Sequence, residues 1–283
     1  MILVTGATGH VGSELLSQLA GRGQRLRAMT RRPETAHVPQ GVEVVRGDFE
    51  DPQSLDAALC GVDRVFFMSA QPLGSAPAPT HDFALAEACR RAGVAHIAKL
   101  SVLDGGGGDP NDPIARWHSA AEEAVRGSGA GWTMLRPGRF MSNALGWAAM
   151  LKRGDDVFLP FAERPAAAID PADIAAVAAA ALLEEGHRGK VYELSGPETL
   201  TPLQELAILG RVLGRTLHPK PVSREDARKG LERHGMSPEI VEAVMKQTET
   251  DRGTSVLPTV TEVTGRPARK FEQWAEAHRG EFQ

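Results

Sequence analysis

Val4-Thr5-Gly6-Ala7-Thr8-Gly9-His10-Val11-Gly12 is the stretch that decides how this chain folds. The apolar run Ile2 to Val4 stops at a glycine-rich turn, and a helical pattern (Leu15, Leu16, Leu19, Ala20) begins at once. The order is strand, turn, helix, with glycines spaced G-x-x-G-x-x-G. A pyrophosphate needs a backbone that it can approach closely and amide hydrogens that point at it. Glycines permit both, and the positive end of the following helix favours the anion. Gly6, Thr8, Gly9, His10, Val11 and Gly12 are therefore expected to contact a dinucleotide. A glycine triplet alone is weak evidence, but this one sits between a strand and a helix and opens an alternating β/α pattern.

Working outward, the first half repeats strand and helix. Gln24 to Thr30, Val42 to Arg46, Arg64 to Ser69, His96 to Val102 and Trp132 to Leu135 read as further strands. Ser13 to Arg22, Pro52 to Leu59, Asp82 to Ala92 and Ile114 to Ser128 read as the helices between them. Such alternation predicts an α/β Rossmann fold, a doubly wound parallel sheet with helices on both faces and ligands beyond the carboxyl ends of its strands. Past Pro137 the pattern changes. Asp170, Thr201 and Ser237 each precede a proline and look like helix N-caps, and Val191 to Ser195 reads as a strand. From about residue 196 the chain reads as helical and more charged, and it carries no second glycine fingerprint. The expected division is a dinucleotide-binding domain over 1-145, completed by 166-195, and a small, mainly helical C-terminal substrate lobe over 146-165 and 196-283.

Composition narrows the classes. The 283 residues, 42% hydrophobic, suffice for one large α/β domain or a domain with a smaller lobe. A net charge of −4 and the lack of a basic block point away from nucleic acid and from an anionic membrane surface. The apolar stretch Ile174 to Leu183 is mostly alanine and too short to span a bilayer. The first residues are already strand, so a cytoplasmic protein without a signal peptide is expected, as a monomer or homodimer. Cys60 and Cys89 lack metal or redox spacing, which predicts two reduced, buried thiols and no metal.

The residues after each strand carry the remaining chemistry. NAD-specific sites usually place a carboxylate after the second strand; here that position reads Thr30-Arg31-Arg32-Pro33. Two guanidiniums can clamp a 2′-phosphate, which predicts NADP(H), unless they are plain surface charges. Asp48 could accept from the adenine amino group or cap the next helix, and Phe49 could pack near the adenine. Met68, Ser69, Ala70, Ser101 and Pro137 are expected along the rest of the cofactor. Two loops at this edge, 71–80 and 104–113, stand out. The second, with four consecutive glycines, is either a mobile lid or an ordinary surface loop.

TGATGHVG at the start, TRRP, GDFEDPQSL, the 118–143 segment HSAAEEAVRGSGAGWTMLRPGRFMSN and GKVYELSGPETLT (189–201) resemble the NmrA-like atypical short-chain dehydrogenases/reductases. The likeness is greatest to the branch with bacterial NADPH-dependent quinone oxidoreductases and triphenylmethane reductase. It covers most of the chain and implies a Rossmann domain, NADP(H) in many members and a C-terminal substrate lobe. The family includes reductases and a non-catalytic NADP(H)-sensing regulatory protein. Typical members of the wider superfamily carry Tyr-x-x-x-Lys on the helix after the fifth strand; this chain has one tyrosine, Tyr192, far from that helix. The helix carries His118 and Glu122 instead, four apart on one face and matching the His-x-x-x-Glu pattern of the atypical branch. His118 could donate a proton and Glu122 orient it, or the two form a structural pair.

Without the tyrosine, a quinone-like or otherwise conjugated small-molecule acceptor is the expected substrate. Its developing anion is delocalised and needs less from an acid, so hydride transfer mainly requires a well-held acceptor. Candidate walls are Gln71, Leu73, Val102, Trp117, Phe140 and Trp147, of which Phe140 and Trp147 also suit the core. Asn143 could bond the substrate or cap a helix.

Overall fold

The computed structural model describes every residue except Ala70, Gly74, Pro77 and 106–110. In chain order its elements are β1 (Ile2–Val4), α1 (His10–Leu19), β2 (Leu26–Thr30), β3 (Glu43–Arg46), α2 (Pro52–Leu59), β4 (Arg64–Phe67), α3 (Thr80–Ala92), β5 (His96–Leu100), α4 (Pro113–Arg126) and β6 (Gly131–Pro137). There follow α5 (Ala148–Leu151), β7 (Asp156–Pro160), α6 (Pro171–Leu183), β8 (Lys190–Leu194), α7 (Pro202–Leu213), β9 (His218–Val222), α8 (Arg224–Arg233), α9 (Pro238–Gln247), α10 (Thr259–Thr264) and α11 (Phe271–Ala277).

The chain forms two compact units, Met1–Pro137 with Ile174–Glu193 and Gly138–Asp173 with Leu194–Gln283. The first is built on a seven-stranded sheet of order β3-β2-β1-β4-β5-β6-β8. β1 to β6 pair in parallel; Val4 stands between Ala28 and Phe66. The chain winds outward from β1 in both directions, so the order switches between β1 and β4. In sheets of this kind the crevice for a ligand opens at that switch. The strands are apolar because helices cover both faces. Leu3, Val65, Phe67 and Ile97 pack with Leu55, Leu59, Leu85 and Cys89 in one buried cluster. Arg27 is the polar exception in β2; its guanidinium donates to the carbonyls of Ala58 and Cys60 and pairs with Glu43.

In the second unit, Trp147, Leu159, Leu206, Leu209, Phe271, Trp274 and Phe282 share a core. Local signals place its helix starts well. Ala172 N–H donates to the Asp170 carboxylate, Thr201 and Gln204 make a reciprocal capping box, and Ser237 accepts from Ile240.

Two details differ from the sequence reading. The second unit is mainly helical, as expected, but the stretch after residue 196 also holds a strand, β9, which pairs with β7 in a separate two-stranded parallel sheet. The prolines of His218–Val222 hid this strand, because proline cannot donate to a ladder. His218 N–H reaches the Asp155 carbonyl, so His218, Lys220 and Val222 face β7, while Pro219 and Pro221 point their missing donors away from it. The thiols also differ. Cys89 is buried, and burial pushes its pKa up to about 12, but Cys60 is exposed. Cys60 follows the last turn of α2, past the face that the helix buries. Among the described residues no helix is long and apolar enough to cross a membrane.

Candidate cofactor and active site

The junction of β1 and α1 is shaped by close backbone approach. Thr5 follows the buried strand, and its hydroxyl donates to the Met68 carbonyl (2.7 Å) and accepts from the Met68 N–H (2.8 Å). The end of β1 is thereby tied to the end of β4. Gly6 then takes φ +59°, and a Cβ there would lie 2.7 Å from Met68 Cε. A Cβ on Gly12 would lie 2.2 Å from the Gly6 carbonyl oxygen, a backbone atom that cannot swing aside. Only a glycine lets the first turn of α1 rest on the loop this closely. Gly9 occupies the N-cap, no side chain caps the helix and its first turn holds no acid. The first-turn amides and the positive helix end are thus left for an exogenous anion, and the cradle fits the diphosphate of a dinucleotide. Thr8, His10 and Val11 lie on this same turn and first helical residues.

β2 delivers Arg31 and Arg32 to the surface. Among the described residues neither guanidinium makes an ion pair or hydrogen bond, although the Arg32 N–H reaches Thr30 Oγ1. Both cations are therefore available to a 2′-phosphate. At the end of β3, Gly47 donates to the Thr30 carbonyl, and a Cβ on it would strike Met29 at 2.4 Å. Asp48 is not the cap of α2: that role belongs to Asp51, which accepts from Ser54, while Asp48 Oδ1 accepts from the Glu50 N–H. Phe49 stacks on His81 with centroids 5.1 Å apart and rings 12° from parallel. His81, at the start of α3, was not foreseen; it lies outside every motif and reaches Phe49 only through the tertiary fold. Met68 and Ser69 are half-buried beyond β4. Ala70 and the centre of the glycine loop, 106–110, lie outside the described residues.

Gln71 has another task than the one expected of it. Its Oε1 accepts from the His81 N–H (3.0 Å) and the Thr80 hydroxyl, which occupies the amide with the start of α3. Ser101, just past β5, is buried and donates to Glu122 Oε1 at 2.7 Å. Glu122 is fully buried on α4 and also accepts two bonds from Arg136 (2.9 and 2.8 Å) and one from Arg126 (2.8 Å). Burial would push this carboxyl up, but the bonds from Arg136 and Ser101 and the Arg136 charge hold it below the usual carboxylate range. It stays ionised, locking Ser101 and β6 to α4. Arg136 is the partner that sequence reasoning missed, since a strand residue 14 positions away gives no local signal. A Cβ on Gly105 would meet Ser101 Oγ at 2.8 Å and Glu122 Oε1 at 3.2 Å, so the chain also turns tightly over this network. His118 is half-buried one turn before Glu122, and Trp117 is largely buried beside it. Pro137 ends β6 with its carbonyl accepting from Leu103.

The other expected substrate residues belong to the second unit. Phe140 is half-buried and bridges to Ile169, Asn143 is exposed and caps no helix, and Trp147 is part of the core. The lone tyrosine, Tyr192 on β8, bonds His187 Nδ1 at 2.8 Å.

A family described as NAD(P)H-binding matches residues 6–185. Over 286 residues, all of this chain and 99% of the relative, the sequence is 43% identical to a (4-alkanoyl-5-oxo-2,5-dihydrofuran-3-yl)methyl phosphate reductase of Streptomyces griseus. Over 289 residues, again all of this chain and 99% of the relative, it is 35% identical to an NAD(P)H azoreductase of Xenophilus azovorans. Among solved structures, it resembles an NADPH-dependent quinone oxidoreductase of Escherichia coli in complex with NADPH. The TM-score is 0.80 at 26% identity, covering 98% of this chain and 99% of that one.

Proposed function

Because this chain belongs to the NAD(P)H-binding family, in its NmrA-like atypical short-chain dehydrogenase/reductase branch, we propose that it is a reductase taking hydride from NADPH to a conjugated, electron-poor small molecule. The observation that carries the reading is the β1–α1 junction, where Gly12 rests on the Gly6 carbonyl and no side chain caps the helix. Gly6, Gly9 and Gly12 with the first amides of α1 would hold the diphosphate, Arg31 and Arg32 the 2′-phosphate, and Phe49 the adenine. NADPH, when bound, supplies the hydride.

What α4 lacks supports a conjugated acceptor. No tyrosine stands on it, and the single tyrosine of the chain is hydrogen-bonded to His187. A simple ketone would leave a localised alkoxide without that acid; a conjugated acceptor spreads its charge. The relatives' names describe an unsaturated lactone, an azo bond and a quinone, all acceptors of the second kind. The relative at 43% identity acts on a phosphate ester, so a phosphorylated α,β-unsaturated lactone is the substrate class we favour. His118 is the proposed proton source, and Glu122, its oxygens filled, a positioning residue for Ser101 and Arg136. Replacing His118 by alanine should lower kcat while leaving NADPH affinity within about twofold.

The test is NADPH oxidation against an unsaturated lactone phosphate, a quinone and an azo dye, with cofactor binding measured in parallel. The lactone phosphate should give the highest kcat/KM. Tight NADPH binding without turnover of any acceptor would overturn the reading and favour a cofactor sensor.

A further inference from the structure

The second unit carries a cation that the protein leaves without a counter-ion. Arg164 lies in the turn after β7, where Phe161 holds φ +54°, a left-handed conformation that costs a bulky residue energy. The Arg164 guanidinium is half-buried and donates to two backbone carbonyls, Gln247 (2.8 Å) and Arg252 (3.5 Å). Its Nε–H is buried without a partner, and among the described residues no carboxylate pairs with it. Burial and the neighbouring Arg139 and Arg252 charges all act against its protonated form. Arg139 is held by Glu205 on α7, yet its own Nε–H is also buried and unbonded.

Beside Arg164 opens a cavity of about 510 Å³ between the 161–165 turn, the end of β9 and residues 248–254. Its other charges are Arg224, paired with Glu249 at 2.6 Å, and the exposed Glu163 and Asp251. Of the two arginines that line it, Arg164 has no carboxylate on its guanidinium among the described residues, so an anion of several oxygens that reaches it from the cavity supplies the missing counter-charge. A buried charge is costly unless paired, and a planar guanidinium matches phosphate oxygens.

We infer that Arg164 is the anchor for the phosphate of a phosphomonoester substrate, seated in the cavity of the second unit. This rests on the reductase reading above and narrows it. It assigns the phosphate to side chains of the second unit, separate from the glycine cradle that serves the coenzyme.

The experiment measures kcat/KM for an unsaturated lactone phosphate and for its free alcohol in the wild type, Arg164→Gln and Arg164→Lys. Calorimetry with phenyl phosphate runs on the same proteins in the presence of NADP+. The wild type should prefer the phosphate ester at least tenfold, through KM. Arg164→Gln should reduce that ratio at least tenfold and abolish phenyl phosphate binding, and Arg164→Lys should restore part of both. A wild type indifferent to the phosphate, or a ratio unchanged in Arg164→Gln, overturns the assignment and leaves Arg164 as a staple for the 247–252 segment. Should no acceptor be reduced at all, the reductase reading fails, and calorimetry decides the arginine alone: binding lost in Arg164→Gln upholds the anchor, and no binding to the wild type removes it.

Discussion

Each unit buries one glutamate completely, and the two are held in opposite ways. In the first, Glu122 accepts four hydrogen bonds from Ser101, Arg126 and Arg136, which keep it ionised. In the second, among the described residues Glu205 has only Arg139 and its Oε1 has no partner, and burial pushes its carboxyl above the ordinary value despite that arginine. Burial is common to both, so the number of donors decides the sign. The lesson extends to the ligand sites. Around Glu122 the protein closes its own polar network, and the proposed coenzyme cradle is made of backbone. Around Glu205 the polar valences are left incomplete: among the described residues neither its Oε1 nor the Arg139 Nε–H has a partner.

Changes to the cradle should be the most damaging. Gly12→Val places a side chain where even a Cβ stands 2.2 Å from backbone, so NADPH affinity should fall at least a hundredfold by calorimetry. Near-normal affinity would mean that the cradle bends and is no firmer than the second unit. Next come the glutamates. Glu122→Gln should cost about 3 kcal/mol in denaturant unfolding because it strands Arg136 and Arg126, whereas Glu205→Gln should cost about 1 kcal/mol. Equal costs would erase the contrast.

Their pH profiles should run in opposite directions. Glu122 has a depressed folded pKa, so its contribution is present above the unfolded value and lost as pH falls below about 4.5. Glu205 has a raised one, so its contribution is complete below that value and lost as pH rises above it. Asp173 in the second unit behaves like Glu205: burial and Asp170 push it up to about 6, against the Arg269 N–H. Its contribution is present below about pH 4 and lost by pH 6. Asp173→Asn should therefore gain on the wild type across that window, by roughly 2 kcal/mol, in unfolding measured from pH 4 to 7. A flat difference would refute the assignment.

The smallest effect sharpens the comparison from the other side, where solvated side chains act within the first unit. Arg31→Ala with Arg32→Ala should weaken NADPH about tenfold relative to NADH, and the loss should shrink at high salt. Unchanged selectivity would leave both arginines as surface charges.

Much of the first unit was legible because its signals are local. The glycine turn, five further strands and the proline-led start of α2 each announce themselves within a few residues. The site was less legible wherever distant residues complete it. Nothing near Glu122 in sequence names Arg136, nothing near Phe49 names His81, and Gln71 looks like a pocket wall until the start of α3 folds against it. Asp48 is a plausible cap of α2 from sequence; the Ser54 N–H shows that the cap is Asp51 instead. In the second unit, caps were readable and pairing was not, since β9 carries the residue type that argues hardest against a strand.

The alternating prolines of β9 have one more effect. With Pro219 and Pro221 turned outward, the free rim of the small sheet offers carbonyls but no amide hydrogens at those positions. A stray β-segment from another molecule would find half of its ladder missing there. The feature that concealed this strand thereby guards it against recruiting further chains into a growing aggregate.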